Sequence, residues 1–65
     1  MNWDNIQGNW DQVRGQLKQQ WGKLTDQDLD AIMGKREELE GKLQKYYGFE
    51  STKAHQEVDR WLSHH

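Results

Sequence analysis

Two trios of glycine constrain this 65-residue chain more than any other feature of it. Gly8, Gly15 and Gly22 stand seven apart, as do Gly34, Gly41 and Gly48, and the second trio is the first displaced by 26 residues. Laid over one another at that offset, Trp3-Asp-Asn-Ile6-Gln-Gly8 matches Leu29-Asp-Ala-Ile32-Met-Gly34, and Val13-Arg-Gly15-Gln-Leu17 matches Leu39-Glu-Gly41-Lys-Leu43. Six of the twenty pairs from Trp3 to Gly22 are identical, against roughly one or two by chance. A common helical period would align apolar positions in any two amphipathic helices, but it would not align glycines. The pattern therefore reads as an internal duplication of about 26 residues, with copies at about 3–25 and 29–51.

Each copy carries the spacing of a helix. Ile6, Trp10, Val13, Leu17, Trp21 and Leu24 recur in steps of four and three, a single apolar stripe. The second copy repeats it with Leu29, Ile32, Leu39, Leu43 and Tyr46/Tyr47, with Arg36 in the place of Trp10. Gly22 and Gly48 read as helix stops, because a residue without Cβ takes the left-handed cap cheaply. Thr25 and Ser51 read as the following N-caps, Thr25 with acids in the first turn. A last helix over about 52–62 gathers Ala54, Val58, Trp61 and Leu62 on one face, and residues 63–65 form a tail. Gly8 and Gly34 fall between a short helix and a long one, where either a break or a continuous helix fits the pattern. Gly15 and Gly41 sit inside helices, where each costs about 1 kcal/mol relative to alanine. A close helix crossing at that pair would compensate. The expectation is one all-α domain spanning 1–65, a bundle of four to five helices arranged as two crossed α-hairpins.

Composition narrows function mainly by exclusion. The chain has no cysteine, so disulfides, thiolate metal sites and cysteine nucleophiles are ruled out, and the cytoplasm is the easier home. No apolar run has the length of a membrane span or a signal peptide, and acids interleave along the helices where a membrane-surface helix would carry a cationic face. Nine basic residues mix with eleven acids for a net charge of −2. That balance weighs against nucleic acid, even though aromatics and the cations Arg14, Lys18, Lys23, Lys42, Lys45 and Lys53 offer the raw material of a stacking groove. Mean hydropathy is −1.30, yet four Trp, two Tyr and one Phe are too many aromatics for a disordered chain.

The near-misses to an active site are specific. Asp26, Asp28, Asp30 and Glu37 occupy positions 1, 3, 5 and 12 of a calcium loop, but the glycine needed at the sixth position is Ala31. Leu29, Ile32 and Met33 keep helical spacing through the segment, so its acids read as a solvent-facing helix N-terminus and no metal is assigned. His55 has no nucleophile or second histidine at a useful spacing, and His64 and His65 in the tail receive no chemistry. The glycines do not form a phosphate cradle. No catalytic residue and no cofactor are expected. The one candidate partner surface is aromatic: Trp3, Tyr46 and Trp61 lie near helix ends, where partial exposure would favour a protein partner.

The strings Gln20-Trp-Gly-Lys-Leu-Thr-Asp26, Gly34-Lys-Arg36, Leu39-Glu-Gly-Lys-Leu-Gln44 and Tyr47-Gly48 resemble the CsbD-like family of small bacterial stress-response proteins. The resemblance runs to about Trp61, with polar Asn5 and Gln7 and the histidine tail as departures. It implies a compact bundle of four or five helices and a stress-linked role in the bacterial cytoplasm, and it carries over no functional residues. A hydrophilic protectant is the function this favours. A protein-binding adaptor using the aromatic face is the alternative, and weak nucleic-acid binding ranks below both.

Overall fold

A computed structural model describes residues 2–64 and contains five helices: α1 (Trp3–Gly8), α2 (Trp10–Gln20), α3 (Asp26–Ile32), α4 (Arg36–Tyr47) and α5 (Ser51–Ser63). There is no strand among the described residues. The all-helical expectation holds. The offset of 26 that aligns the glycines also carries the first residue of α2, Trp10, onto the first residue of α4, Arg36.

Local chemistry sets most of the boundaries. The Asn2 side chain caps α1 by accepting from the Asn5 N–H at 3.0 Å. At Asn9 the backbone leaves the helical region (φ −120°, ψ 36°), and its N–H is shared between the Asn5 and Ile6 carbonyls. The junction at Gly8 is therefore a break, displaced by one residue from the glycine. Thr25 caps α3 in a complete capping box with Asp28, as the sequence predicts. Gly48 ends α4 in the left-handed conformation at φ 70°, also as predicted.

Gly22 differs. Helix α2 stops at Gln20 with Trp21 extended (φ −126°, ψ 89°), and among the described residues only Met33, Gly34 and Gly48 have positive φ. The Trp21 side chain is drawn into the core, and its backbone turns out of the helix without a left-handed glycine. Ser51 lies one residue inside α5, whose N-cap position is Glu50.

The core gathers residues from every helix: Ile6 from α1, Val13 and Leu17 from α2, Leu29 and Ile32 from α3, Leu39 and Leu43 from α4, and Ala54, Val58, Trp61 and Leu62 from α5. Trp21 and Leu24 of the α2–α3 link complete it. The most extensive helix packings are α1 on α2, α3 on α4 and α4 on α5, so α4 lies against both its neighbours in sequence.

The predicted crossing at Gly15 and Gly41 is absent. Both residues are exposed, and a Cβ built on either meets nothing within 4 Å. The close approach occurs at Gly34, which is buried at φ 77°; a Cβ there would lie 3.3 Å from Cγ of Gln7. The Trp3 indole N–H donates to the Gly34 carbonyl at 2.8 Å, which fastens α1 to the α3–α4 turn.

Candidate functional site

The three aromatic residues singled out by sequence separate in space. Trp61 is only 3 % exposed, and its ring lies 6.0 Å from that of Trp21 at a tilt of 51°. Its expected exposure is overturned: α5 turns the whole stripe of Ala54, Val58, Trp61 and Leu62 inward, and proximity to the helix end does not lift the ring out. Trp3 and Tyr46 are half-buried, with their polar atoms engaged. Trp3 reaches Gly34, just past the end of α3, while the Tyr46 hydroxyl reaches Asp28 in the first turn of α3. They sit at opposite ends of α3.

Asp28 overturns a second expectation. It is 6 % exposed and points inward, whereas Asp26 and Asp30 face solvent. Its carboxylate accepts from the Thr25 N–H at 3.0 Å, the Thr25 hydroxyl at 3.0 Å and the Tyr46 hydroxyl at 2.8 Å, with the Lys42 ammonium at 3.4 Å. The backbone N–H of Thr25 first, then the Tyr46, Thr25 and Lys42 side chains, holds the carboxyl at about 2, below its ordinary 3.8. The same bond raises Tyr46, because its hydroxyl proton is shared with the Asp28 carboxylate. Of the other acids of the apparent calcium loop, Asp26 pairs with Lys18 at 3.0 Å and Asp30 with Arg14 at 2.8 Å, while Glu37 is exposed in the first turn of α4. The segment is a helix cap joined to α2 and α4, and among the described residues no group of three His, Cys, Asp or Glu is placed to hold a metal.

A lowered folded-state pKa stabilises the fold above the unfolded value, and that contribution is lost as pH falls through the folded value. Asp28 should therefore stabilise the molecule above about pH 3.8 and progressively less down to about pH 2. In urea titrations Asp28→Asn is expected to unfold at lower denaturant than the parent at pH 7, and the gap should close across that acid window. A gap independent of pH would show that the charge of Asp28 contributes nothing.

A third group joins α4 to α5. Arg36 Nε donates to Glu40 at 2.7 Å, and Nη2 donates to Asp59 at 2.6 Å and to the His55 carbonyl at 3.2 Å. The ring nitrogens of His55 lie 3.0 Å from Glu40 and 3.4 Å from Asp59. The guanidinium bridges two carboxylates, and the arrangement is an interhelical clasp. Its sequence signal was the replacement of Trp10 by Arg36 between the copies, together with Glu40 and Asp59 each four residues after a basic or imidazole group.

The stacking material predicted for nucleic acid is internally engaged. Tyr47 and Phe49 stack with centroids 5.5 Å apart, Lys23 lies 5.0 Å over Tyr47, and Lys53 lies 5.9 Å over Phe49. Of the six cations, Arg14, Lys18, Lys42 and Lys53 form ion pairs with Asp30, Asp26, Asp28 and Glu57.

No helix among the described residues is long and apolar enough to cross a membrane. No solved structure matches the chain. The UPF0337 protein ECA0631 of Pectobacterium atrosepticum is 52% identical over 65 residues, covering 100% of this chain and 94% of that protein. The UPF0337 protein YjbJ of Escherichia coli O6:H1 is 51% identical with the same coverage. The UPF0337 protein RPA4217 of Rhodopseudomonas palustris is 49% identical over 63 residues, 97% of this chain and 96% of the relative. The family model described as CsbD-like matches residues 4–55. This glycine-punctuated helical chain belongs to the CsbD-like family.

Proposed function

We propose that this protein is a non-enzymatic, stress-associated protectant of the bacterial cytoplasm, a hydrophilic body that keeps other macromolecules solvated and apart. The supporting observation is how its apolar side chains are partitioned. Thirteen hydrophobic residues form one core, Trp3, Trp10, Tyr46, Tyr47 and Phe49 pack half-buried against it, and among the described residues Met33, 70 % exposed, is the single large hydrophobic that lies mostly in solvent. Mean hydropathy of the sequence is −1.30, and apart from Met33 the exposed side chains of the described residues are polar, glycine or alanine. Such a surface has little apolar area with which to aggregate when water becomes scarce.

The adaptor reading needs an exposed aromatic face. Burial of Trp61 and the engagement of Trp3 and Tyr46 leave it with less support than the protectant reading.

The test is recovery of a labile enzyme, such as lactate dehydrogenase, after freeze–thaw and after drying. The protein is expected to preserve more activity than an equal mass of albumin. Recovery no better than albumin's across the concentration range would refute the proposal.

A further inference from the structure

The first twenty residues hold eight of the eleven Asn and Gln side chains of the chain, and within residues 1–13 the only charged side chains are Asp4 and Asp11. Asn5, Asn9, Gln12 and Gln16 follow one another in steps of four, three and four, the spacing of a single helical stripe. The backbone break at Asn9 bends that stripe. Asn5 from α1, Asn9 at the break, and Gln12, Val13 and Gln16 from α2 then line one open hollow of about 280 Å³. A second hollow of about 400 Å³ adjoins it, shares Asn9 and Gln12, and adds Trp10 and Asp11.

Ordinary surface solvation does not call for this composition, as the same molecule shows. At the positions 26 residues on, Lys35, Glu38 and Lys42 stand where Asn9, Gln12 and Gln16 do, and Arg36 stands for Trp10. Helix α4 thus fills the equivalent stripe with charges, while α1 and α2 fill it with amides and an indole. Among the described residues the side-chain amides of Asn5, Gln12 and Gln16 make no hydrogen bond, whereas the Asn9 amide nitrogen donates to the Asn5 carbonyl at 3.1 Å.

We propose that this amide-lined hollow over the α1–α2 break, formed by Asn5, Asn9, Gln12 and Gln16 beside Trp10 and Asp11, binds a neutral pyranose sugar. Each primary amide presents a carbonyl acceptor and two N–H donors in one plane, which matches adjacent hydroxyls that both donate and accept. The Asp11 carboxylate can accept further hydroxyl protons, and the half-buried Trp10, packed against the core, lines the adjoining hollow with apolar ring atoms suited to sugar C–H groups. Residues 1–13 carry no Lys or Arg beside Asp4 and Asp11, and Arg14, between Gln12 and Gln16, is engaged by Asp30 and the Asp26 carbonyl, which disfavours phosphates and other anions. The volumes lie near the lower end of small-molecule sites, roughly 300–1,000 Å³. The surface is open, so the dissociation constant should be of the order of 1 mM, about −4 kcal/mol.

The test is a titration of the full chain followed by the side-chain amide and indole signals in nitrogen-15 NMR. Trehalose and maltohexaose are the two sugar arms, and glycerol is the polyol without a ring. The proposal expects saturable shifts at Asn5, Asn9, Gln12, Gln16 and Trp10, with Gln27, Gln44 and Gln56 as internal references. Saturation by trehalose identifies a free disaccharide, and saturation by maltohexaose alone identifies a stretch of a longer glucan. Gln12→Glu with Gln16→Lys installs the charges that α4 carries and should weaken binding at least tenfold with the helical spectrum unchanged. Linear drift without saturation, an equal response to glycerol, equal shifts at the reference amides, or undiminished affinity in the double variant would each overturn the proposal. Failure to protect enzymes through drying leaves this binding intact, so the two readings fail separately.

Discussion

Trp61→Ala is expected to remove a large share of the stability of the fold at 25 °C. Truncating a buried tryptophan costs about 3–5 kcal/mol, from lost burial and from the cavity left behind. Trp61 is 3 % exposed and packs on Trp21, itself 4 % exposed, so its truncation opens space inside the core. At about 0.05–0.15 kcal/mol per residue, the whole stability of a domain this size is roughly 3–10 kcal/mol. Thermal and urea unfolding followed by circular dichroism would measure the loss. A variant within 1 kcal/mol or so of the parent would contradict the packing around α5. The consequence for partner searches is practical: a binding defect in Trp61→Ala would report a weakened fold as readily as a lost contact. Trp3→Ala, at a half-buried ring, is the better probe of an aromatic surface.

The second large effect has the opposite sign. Gly15→Ala and Gly41→Ala are each expected to stabilise the protein by about 0.5–1 kcal/mol, because both glycines are mid-helix and an added Cβ touches nothing. They lie on different helices without shared partners, so the double variant should gain about 1–2 kcal/mol. At about 4–8 °C per kcal/mol for a domain of this size, the midpoint of thermal unfolding would rise visibly. Gly34→Ala should do the reverse, since φ of 77° strains any L side chain and Gln7 Cγ stands 3.3 Å from the new atom. Should the Gly15 and Gly41 variants destabilise the protein, close packing at those positions would have to be reinstated. As it stands, the glycines at 15 and 41 lower the stability of the monomer with no compensating contact in the described structure.

The difference between these glycines shows what the sequence could and could not reveal. Periodicity identified the residues that turn inward, and Ile6, Val13, Leu17, Leu29, Ile32, Leu39, Leu43 and Val58 are all buried. Two of the four helix ends were equally legible, Thr25 as the cap of α3 and Gly48 as the end of α4, whereas Gly22 and Ser51 did not take the places read for them. Contacts between distant segments were not. Nothing local distinguishes Gly34, pressed against Gln7, from Gly8, open to water, since both fall between a short helix and a long one at the same place in the spacing. Asp28 looked like a solvent-facing acid because its partners Tyr46 and Lys42 arrive from another helix. Trp61 was misplaced for a related reason: closeness to a helix end suggests exposure, whereas its partner Trp21 lies forty residues away in sequence. The amide stripe from Asn5 to Gln16 was written in the sequence throughout. Its concavity depends on the break at Asn9, which the spacing left undecided.

The order in which the helices pack has a kinetic meaning. The most extensive packings join α1 with α2, α3 with α4, and α4 with α5, always neighbours along the chain. Short loops close quickly and lose little entropy, so helical domains whose contacts are local fold in microseconds to milliseconds. With no proline in the sequence, no prolyl isomerisation can delay that step. A molecule that lost its shape as its solvent was withdrawn would regain it almost as soon as water returned, before exposed core side chains had long to find one another.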